Sequence, residues 1–301
     1  MNTTITIKVV AEFAIPTTQI QNDIELAFGE FDRIVKTYTR FNDVSELAII
    51  NRHSGEWVDV SAEFIYLVKF MLQLAKATDG KFDPTIIDLL EAYGYSARYD
   101  FADKLADPEL KNKIAEIVRT RPKWEDIELD EPNLRIKLAP KQRLDLGGVG
   151  KGYAIDCAYE RLEHYANFLV DAGGDIRCRG ITADNTPWQI GLKHRVGEVD
   201  GFIGKLSLSE GSVCASGSWA RKVGDFHHII NPVSGEPENA TLTAYTVAPI
   251  AMLADGWSTP LFLMGQAGLA VMPAEVKGLV INSSQKLFKT PDFPQIFSMA
   301  K

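Results

Sequence analysis

The segment LDLGGVGKGYAID, Leu144 to Asp156, constrains this chain more than any other. Its glycines at 147, 148, 150 and 152 lie between a short apolar stretch and an amphipathic one. That order predicts a strand that turns through glycines into a helix beginning near Tyr153. Such a turn exposes backbone N–H groups where an anion can sit. Two phosphate motifs can be tested against it. A Walker A loop needs Gly at 145 and Ser or Thr at 152, where this chain has Asp145 and Gly152. A GxGxxG frame starting at Gly148 meets Tyr153 in place of its third glycine. Neither fits, and a glycine-rich turn with one well-placed cation, Lys151, stays open between phosphate binding and a purely structural bend.

The surrounding pattern predicts an α+β fold. Thr3 to Val10 is rich in β-branched residues, and Ile20, Ile24, Ala27, Phe28, Phe31, Ile34 and Val35 recur at helical spacing. A loop from Arg40 to Ser45, a short helix through Asn51 and a strand at Trp57 to Val60 follow. Ser61 can cap a helix with Phe64, Leu67, Val68, Met71, Leu72 and Ala75 on one face, ending near Asp79-Gly80. Ser96 to Asp130 is the most charged region and reads as a solvated helical connector. Beyond Ile127, β-rich runs at Leu134 to Leu138, Phe168 to Val170, Trp188 to Leu192, Lys205 to Leu208, Thr241 to Val247 and Gly278 to Ile281 alternate with helices at Tyr153 to His164 and Ala251 to Met264. With no repeat and no long Ser/Gly/Pro linker, residues 1–301 are expected to form one domain.

Composition excludes several classes of function. With 301 residues, 46% of them apolar, the chain can bury a substantial core. A formal net charge of -8 opposes binding to nucleic acid. Cys157, Cys178 and Cys214 are neither a CxxC pair nor a disulfide framework and read as small buried hydrophobes. Met1 to Glu12 lacks a basic region followed by an apolar one, so a cytoplasmic location is expected, or a periplasmic one if the sequence has been trimmed. Ala240 to Ala254 is too interrupted by polar residues and Pro249 to span a bilayer.

Other segments carry chemistry-bearing residues. DAGGDIRCRG, Asp171 to Gly180, reads as a hairpin or bulge, and DGKFDPT, Asp79 to Thr85, as a turn or helix start. Asp255 and Thr259 share one helical face, where their oxygens could hold a hard cation; on the residues alone, capping or bonding the helix backbone is the favoured reading. Pro260 weighs against regular helix at Thr259. Of the histidines, only the tandem His227-His228 has a suggestive setting, and in an alternating strand one ring would face inward and the other outward. No GxSxG elbow is present, and Ser216 has no identifiable triad partners.

In this order, FNDVSELAIIN, TDGKFDPT, LDLGGVGKGYAID, DAGGDIRCRG, ASGSWAR, HHIINPVSGEP and ADGWSTPLFLMG resemble the ApbE family of FAD:protein FMN transferases. The resemblance runs from about Arg40 to Gly265 and more loosely over the whole chain. It implies a T-fold-like α+β architecture of mainly antiparallel sheets with packed helices, with FAD held in a cleft between two lobes. It also implies Mg²⁺-dependent transfer of FMN from FAD to a Ser or Thr hydroxyl of an acceptor protein, releasing AMP. The acceptor would be a subunit of a membrane redox complex. Hydrolysis of FAD to FMN and AMP, or FAD binding without catalysis, are the alternatives. Carried over by motif, the metal ligands fall on Asp255, Thr259 and the carbonyl of Gly150, and the base or phosphate contact on His228. Lys151 matches the pyrophosphate-facing turn, and Ser45, Asn51, Asp79, Phe82, Asp83 and Thr85 match positions that line or support the nucleotide pocket. Gly173, Gly174 and Asp175 match a second glycine motif, and Ser216 a Ser-Gly turn. Ala215, Trp219, Asn231 and Lys193-His194-Arg195 depart from the commoner pattern.

Overall fold

The computed structural model describes residues 3–11, 15–95, 104–196, 199–218 and 226–299. Its strands are β1 (Ile5–Val9), β2 (Trp57–Asp59), β3 (Glu128–Asp130), β4 (Arg135–Lys137), β5 (Phe168–Ala172), β6 (Asp175–Arg179), β7 (Trp188–Val196), β8 (Val199–Leu208), β9 (Glu210–Gly217), β10 (Thr241–Ala248), β11 (Lys277–Asn282) and β12 (Leu287–Lys289). The helices that matter below are α1 (Thr17–Tyr38), α2 (Glu46–Arg52), α3 (Ala62–Ala77), α4 (Ile87–Ala92), α5 (Leu110–Thr120), α6 (Gly150–Glu160) and α7 (Ala251–Met264).

Seven strands form one sheet in the order β1-β5-β6-β9-β10-β11-β12, with every neighbouring pair antiparallel. The period-2 alternation of strand side chains splits its core in two. Cys214 and Ala244 face the helices, whereas Val213 and Tyr245 face Trp188, Ile190 and Leu206 of the β7–β8 ribbon on the opposite side. A smaller sheet, β2-β4-β3, packs Ile136 into the helical side. The expected α+β architecture is met, and among the described residues no helix is long and apolar enough to cross a membrane.

Helix α7 spans the stretch expected of it and is apolar nearly all round, as a helix wedged between a sheet and other helices must be. Pro260 lies inside it without ending it. Helix α6 starts at Gly150 rather than Tyr153 and stops at Glu160 rather than His164, so Gly150, Lys151 and Gly152 form its first turn. The two helices meet at Gly152. A Cβ there would collide with the Ala251 carbonyl and lie 2.6 Å from Asp255 Cβ, so only glycine permits the approach.

Helices α1, α3 and α6 are tied by one carboxylate. Glu63, in the first turn of α3, accepts both terminal nitrogens of Arg33 at 2.8 Å, the Tyr38 hydroxyl at 2.5 Å and the Tyr153 hydroxyl at 2.6 Å. The charged connector is less solvated than its composition suggests. Ile114 of α5 is buried against Leu89, Leu90, Phe226 and Ile230, and Arg121 makes a buried 2.9 Å ion pair with Asp83. Residues 96–103 of that connector lie outside the described residues.

Two consequences are testable. Gly152→Ala is expected to cost about 1–3 kcal/mol in urea unfolding, because the obstruction is backbone and cannot swing aside, and helix propensity offsets at most about 1 kcal/mol. Burial alone would push the Glu63 carboxyl up, but Arg33, Tyr153 and Tyr38 together hold it down to about 2. A folded pKa below the ordinary ~4.3 stabilises at pH above that value, and the contribution drains away as pH falls toward 2. Unfolding midpoints measured from pH 5 to 2 should therefore fall more steeply for the wild type than for Glu63→Gln.

Candidate active site

A cleft of about 840 Å³ opens where the start of α6, the β5–β6 hairpin, the end of β9 and one face of α7 converge. Glycines 173 and 174, both at positive φ (70° and 95°), make the two-residue turn between Ala172 and Asp175. Positive φ at both positions is the type I′ geometry that matches strand twist. This brings the hairpin tip, and Asp175 just after it, to the cleft wall.

Asp255 is buried at 5% exposure and points into this space from α7. Its Oδ2 accepts the Gly152 N–H at 2.8 Å, and its Oδ1 lies 3.7 Å from the Lys151 ammonium. The same ammonium contacts the Asp175 carboxylate, whose other oxygen accepts the Ala215 N–H at 2.9 Å. One lysine therefore faces two buried carboxylates. Burial pushes the Asp255 carboxyl up, and Lys151 and the Gly152 N–H offset that only in part. Thr259 lies on the same face, within 3.2 Å of Ser216 Oγ, and both line the cleft.

The phasing of α7 is set at its first turn. Asp156 of α6 accepts the N–H groups of Ala251 and Met252 at 2.8 and 2.7 Å, supplying partners that helix starts lack. Arg177 pairs with the same carboxylate at 2.7 Å. Burial keeps the cysteines in the thiol form at neutral pH, pushing Cys157 up to about 11, Cys178 to about 12, and Cys214 well above its ordinary value.

His227 and His228 separate as an inward and an outward ring, although they sit in an irregular segment rather than an alternating strand. The buried His227 accepts the Ile229 N–H at Nδ1 and donates from Nε2 to the Glu238 carbonyl at 2.9 Å. His228 lines the cleft with its ring 6.1 Å from that of Tyr95.

The other sequence-derived positions stand behind the wall. Ser45 caps α2 by accepting the Ala48 N–H at 3.1 Å, and its hydroxyl donates to the Thr39 carbonyl. Asn51 bonds both backbone groups of Leu144, at 2.7 and 2.9 Å, and so fixes the chain entering the glycine turn. Phe82 packs against Gly148, where a Cβ would come within 2.8 Å of its ring. Asp79, at φ 50°, turns the chain toward it. Asp83 accepts from the backbone and hydroxyl of Thr85 and pairs with Arg121, which reaches the Pro232 carbonyl in the loop after His228.

Sequence reasoning missed Arg40 and Tyr95. The Arg40 guanidinium pairs with Glu91 at 2.9 Å and Asp145 at 3.0 Å, donates to the Tyr95 carbonyl, and lies 4.4 Å from the Phe41 ring. Its only sequence signal is its place at the start of the loop preceding Ser45. Of the departures from the commoner pattern, Lys193 lines the cleft, the buried His194 bonds Thr243 and Gln285, and Asn231 accepts the Val233 N–H in its own turn. Trp219 lies outside the described residues.

Comparison with known proteins places this geometry. The sequence matches the ApbE family over residues 1–280. The FAD:protein FMN transferase of Haemophilus influenzae is 28% identical over 285 residues, spanning 88% of this chain and 79% of that protein. Its counterpart from Vibrio cholerae is 27% identical over 302 residues, spanning 96% and 87%. The solved structure of the ApbE protein from Thermotoga maritima aligns with a TM-score of 0.83 at 28% identity, covering 95% of this chain and 93% of that one. The chain belongs to the ApbE family.

Proposed function

We propose that the protein transfers the FMN half of FAD to a Ser or Thr hydroxyl of an acceptor protein, with Mg²⁺, releasing AMP. The observation that carries this reading is one cleft holding the buried Asp255 carboxylate, the Thr259 hydroxyl, the Lys151 ammonium and the His228 ring. Its relatives in Haemophilus influenzae and Vibrio cholerae carry the name of that activity. A volume of about 840 Å³ suits a nucleotide-sized ligand.

The donor set fits Mg²⁺. Carboxylate, hydroxyl and carbonyl oxygens are hard ligands, and this ion takes few of them from protein, completing its shell with water and phosphate. Among the described residues no three His, Cys, Asp or Glu side chains cluster, so Asp255, Thr259 and the Gly150 carbonyl would share the ion with the diphosphate. When bound, Mg²⁺ neutralises charge on the diphosphate oxygens and eases departure of AMP.

The protein's own groups do the rest. Lys151 supplies a second positive charge beside the glycine turn. His228 takes the proton of the acceptor hydroxyl as its oxygen bonds to the FMN-side phosphorus. The phosphoanhydride P–O bond breaks, and the electron pair leaves with the phosphate of AMP. The acceptor we favour is a subunit of a membrane redox complex.

Asp255→Ala is expected to lower Mg²⁺-dependent flavinylation at saturating FAD by at least about 10²-fold; full activity in that variant would remove the metal assignment. His228→Ala should leave FAD affinity near wild type and slow single-turnover transfer by about 10²–10⁴-fold. An unchanged single-turnover rate would exclude it as the base. Incubation with FAD and Mg²⁺ without acceptor separates the chemistries, since rapid release of free FMN and AMP there would mark a hydrolase.

A further inference from the structure

Behind Thr259 runs a chain of hydroxyls. Ser258 Oγ lies 2.8 Å from the Asp255 carbonyl oxygen, Ser216 Oγ lies 2.9 Å from Ser258 Oγ, and Thr259 Oγ1 lies 3.2 Å from Ser216 Oγ. Each hydroxyl has one proton and two lone pairs, and a carbonyl oxygen can only accept. Three contacts, three protons and one acceptor-only end admit a single arrangement that satisfies them all. Ser258 must donate to the carbonyl, so it can only accept from Ser216. Ser216, its proton spent, can only accept from Thr259. Ser258 and Ser216 are 1% and 9% exposed, so water is not a ready substitute partner for the inner links.

We propose that Ser216 and Ser258 are positioning residues, which hold the Thr259 proton away from the cleft and leave the lone pairs of its Oγ1 to a divalent cation. The inference rests on the metal reading given under Proposed function and goes beyond it by assigning the direction of every proton in the relay. A hydroxyl that presented its proton to the cleft would repel a cation. The fixed direction turns Thr259 from an ambivalent group into a dedicated acceptor, and each link polarises the next. Ser258 gains this role because its hydroxyl folds back onto the Asp255 carbonyl within the helix, tying the orientation of Thr259 to the residue that supplies the carboxylate.

The probe is Mn²⁺ alone, titrated against each protein and followed by the electron paramagnetic resonance signal of the free ion, with melting temperature measured alongside. Ser258→Ala frees the Ser216 proton to turn toward Thr259, and Ser216→Ala removes the acceptor of the Thr259 proton. Each is expected to raise the Mn²⁺ dissociation constant about tenfold, as loss of groups that orient a metal ligand commonly does. Ser216→Thr, which keeps a hydroxyl, should bind near wild type. If Ser258→Ala fails to fold, Ser216→Ala on the cleft wall decides by the same criterion. A merely structural role would lower the melting temperature of the alanine variants with Mn²⁺ affinity unchanged; that result, with binding lost in Asp255→Ala, overturns the relay and leaves the metal reading standing. Mn²⁺ binding that Asp255→Ala does not weaken overturns both.

Discussion

The contact between the Gly152 N–H and the Asp255 carboxylate is the point on which the cleft depends. It needs α6 and α7 closer together than any side chain at 152 would permit, since that side chain would meet the Ala251 carbonyl. The same carboxylate is thereby compensated, a requirement for an ionised group this deeply buried. Asp156, one turn along α6, then grips the first N–H groups of α7 and fixes its rotation. Two acidic residues on neighbouring helices, each facing backbone N–H donors, thus set where the Thr259 face of α7 points. A glycine was required for the first contact and a carboxylate for the second, which is why both lie in one short segment, LDLGGVGKGYAID.

Much of this was legible in the sequence because helical and strand periods report which face is buried. Helix α7 was read to its ends, since its apolar run begins after Pro249-Ile250 and stops at Gly265. The start of α6 was misplaced because glycine's low helix propensity argues against Gly150 and Gly152 as helical residues, whereas the packing against α7 overrides that cost. The hairpin expected at Asp171 to Gly180 is present, with β6 as its second arm, but strand β9 is not visible in the sequence pattern. EGSVCASG has little β-branched character, and it is a strand because β6 and β10 flank it on both edges. The charged connector misled for a related reason: Arg121 is buried by a partner, Asp83, that lies far away in sequence and cannot be seen from local composition.

Several residues that line the cleft were legible in the sequence, but not how they are arranged there. Motif matching collected Ser45, Asn51, Asp83 and Thr85 beside Lys151 and Asp175 without distinguishing wall from support. The structure separates them by what their polar atoms touch. Asn51 and Asp83 are committed to backbone and to Arg121, whereas Lys151, paired with the buried Asp175, lines the cleft. Arg40 went unseen because a lone arginine in a loop carries no pattern. Its buried guanidinium instead gathers Glu91, Asp145 and the Tyr95 carbonyl, and so joins three segments at the cleft mouth.

A single helix carries the conflict that marks this cleft. Along α7 nearly every side chain is apolar, yet Asp255, Ser258 and Thr259 fall within two turns of one another and Pro260 follows directly. Each choice costs stability in isolation: a buried carboxylate must be compensated, and proline withholds the N–H that the Gly256 carbonyl would otherwise receive. Local rules broken together, and repaired by partners brought from α6 and β9, are a pattern that functional or strained sites share. The repairs are specific. Gly152 answers Asp255, Ser216 answers both Ser258 and Thr259, and Ser258 answers the Asp255 carbonyl, so each of these polar groups has a partner away from the apolar core.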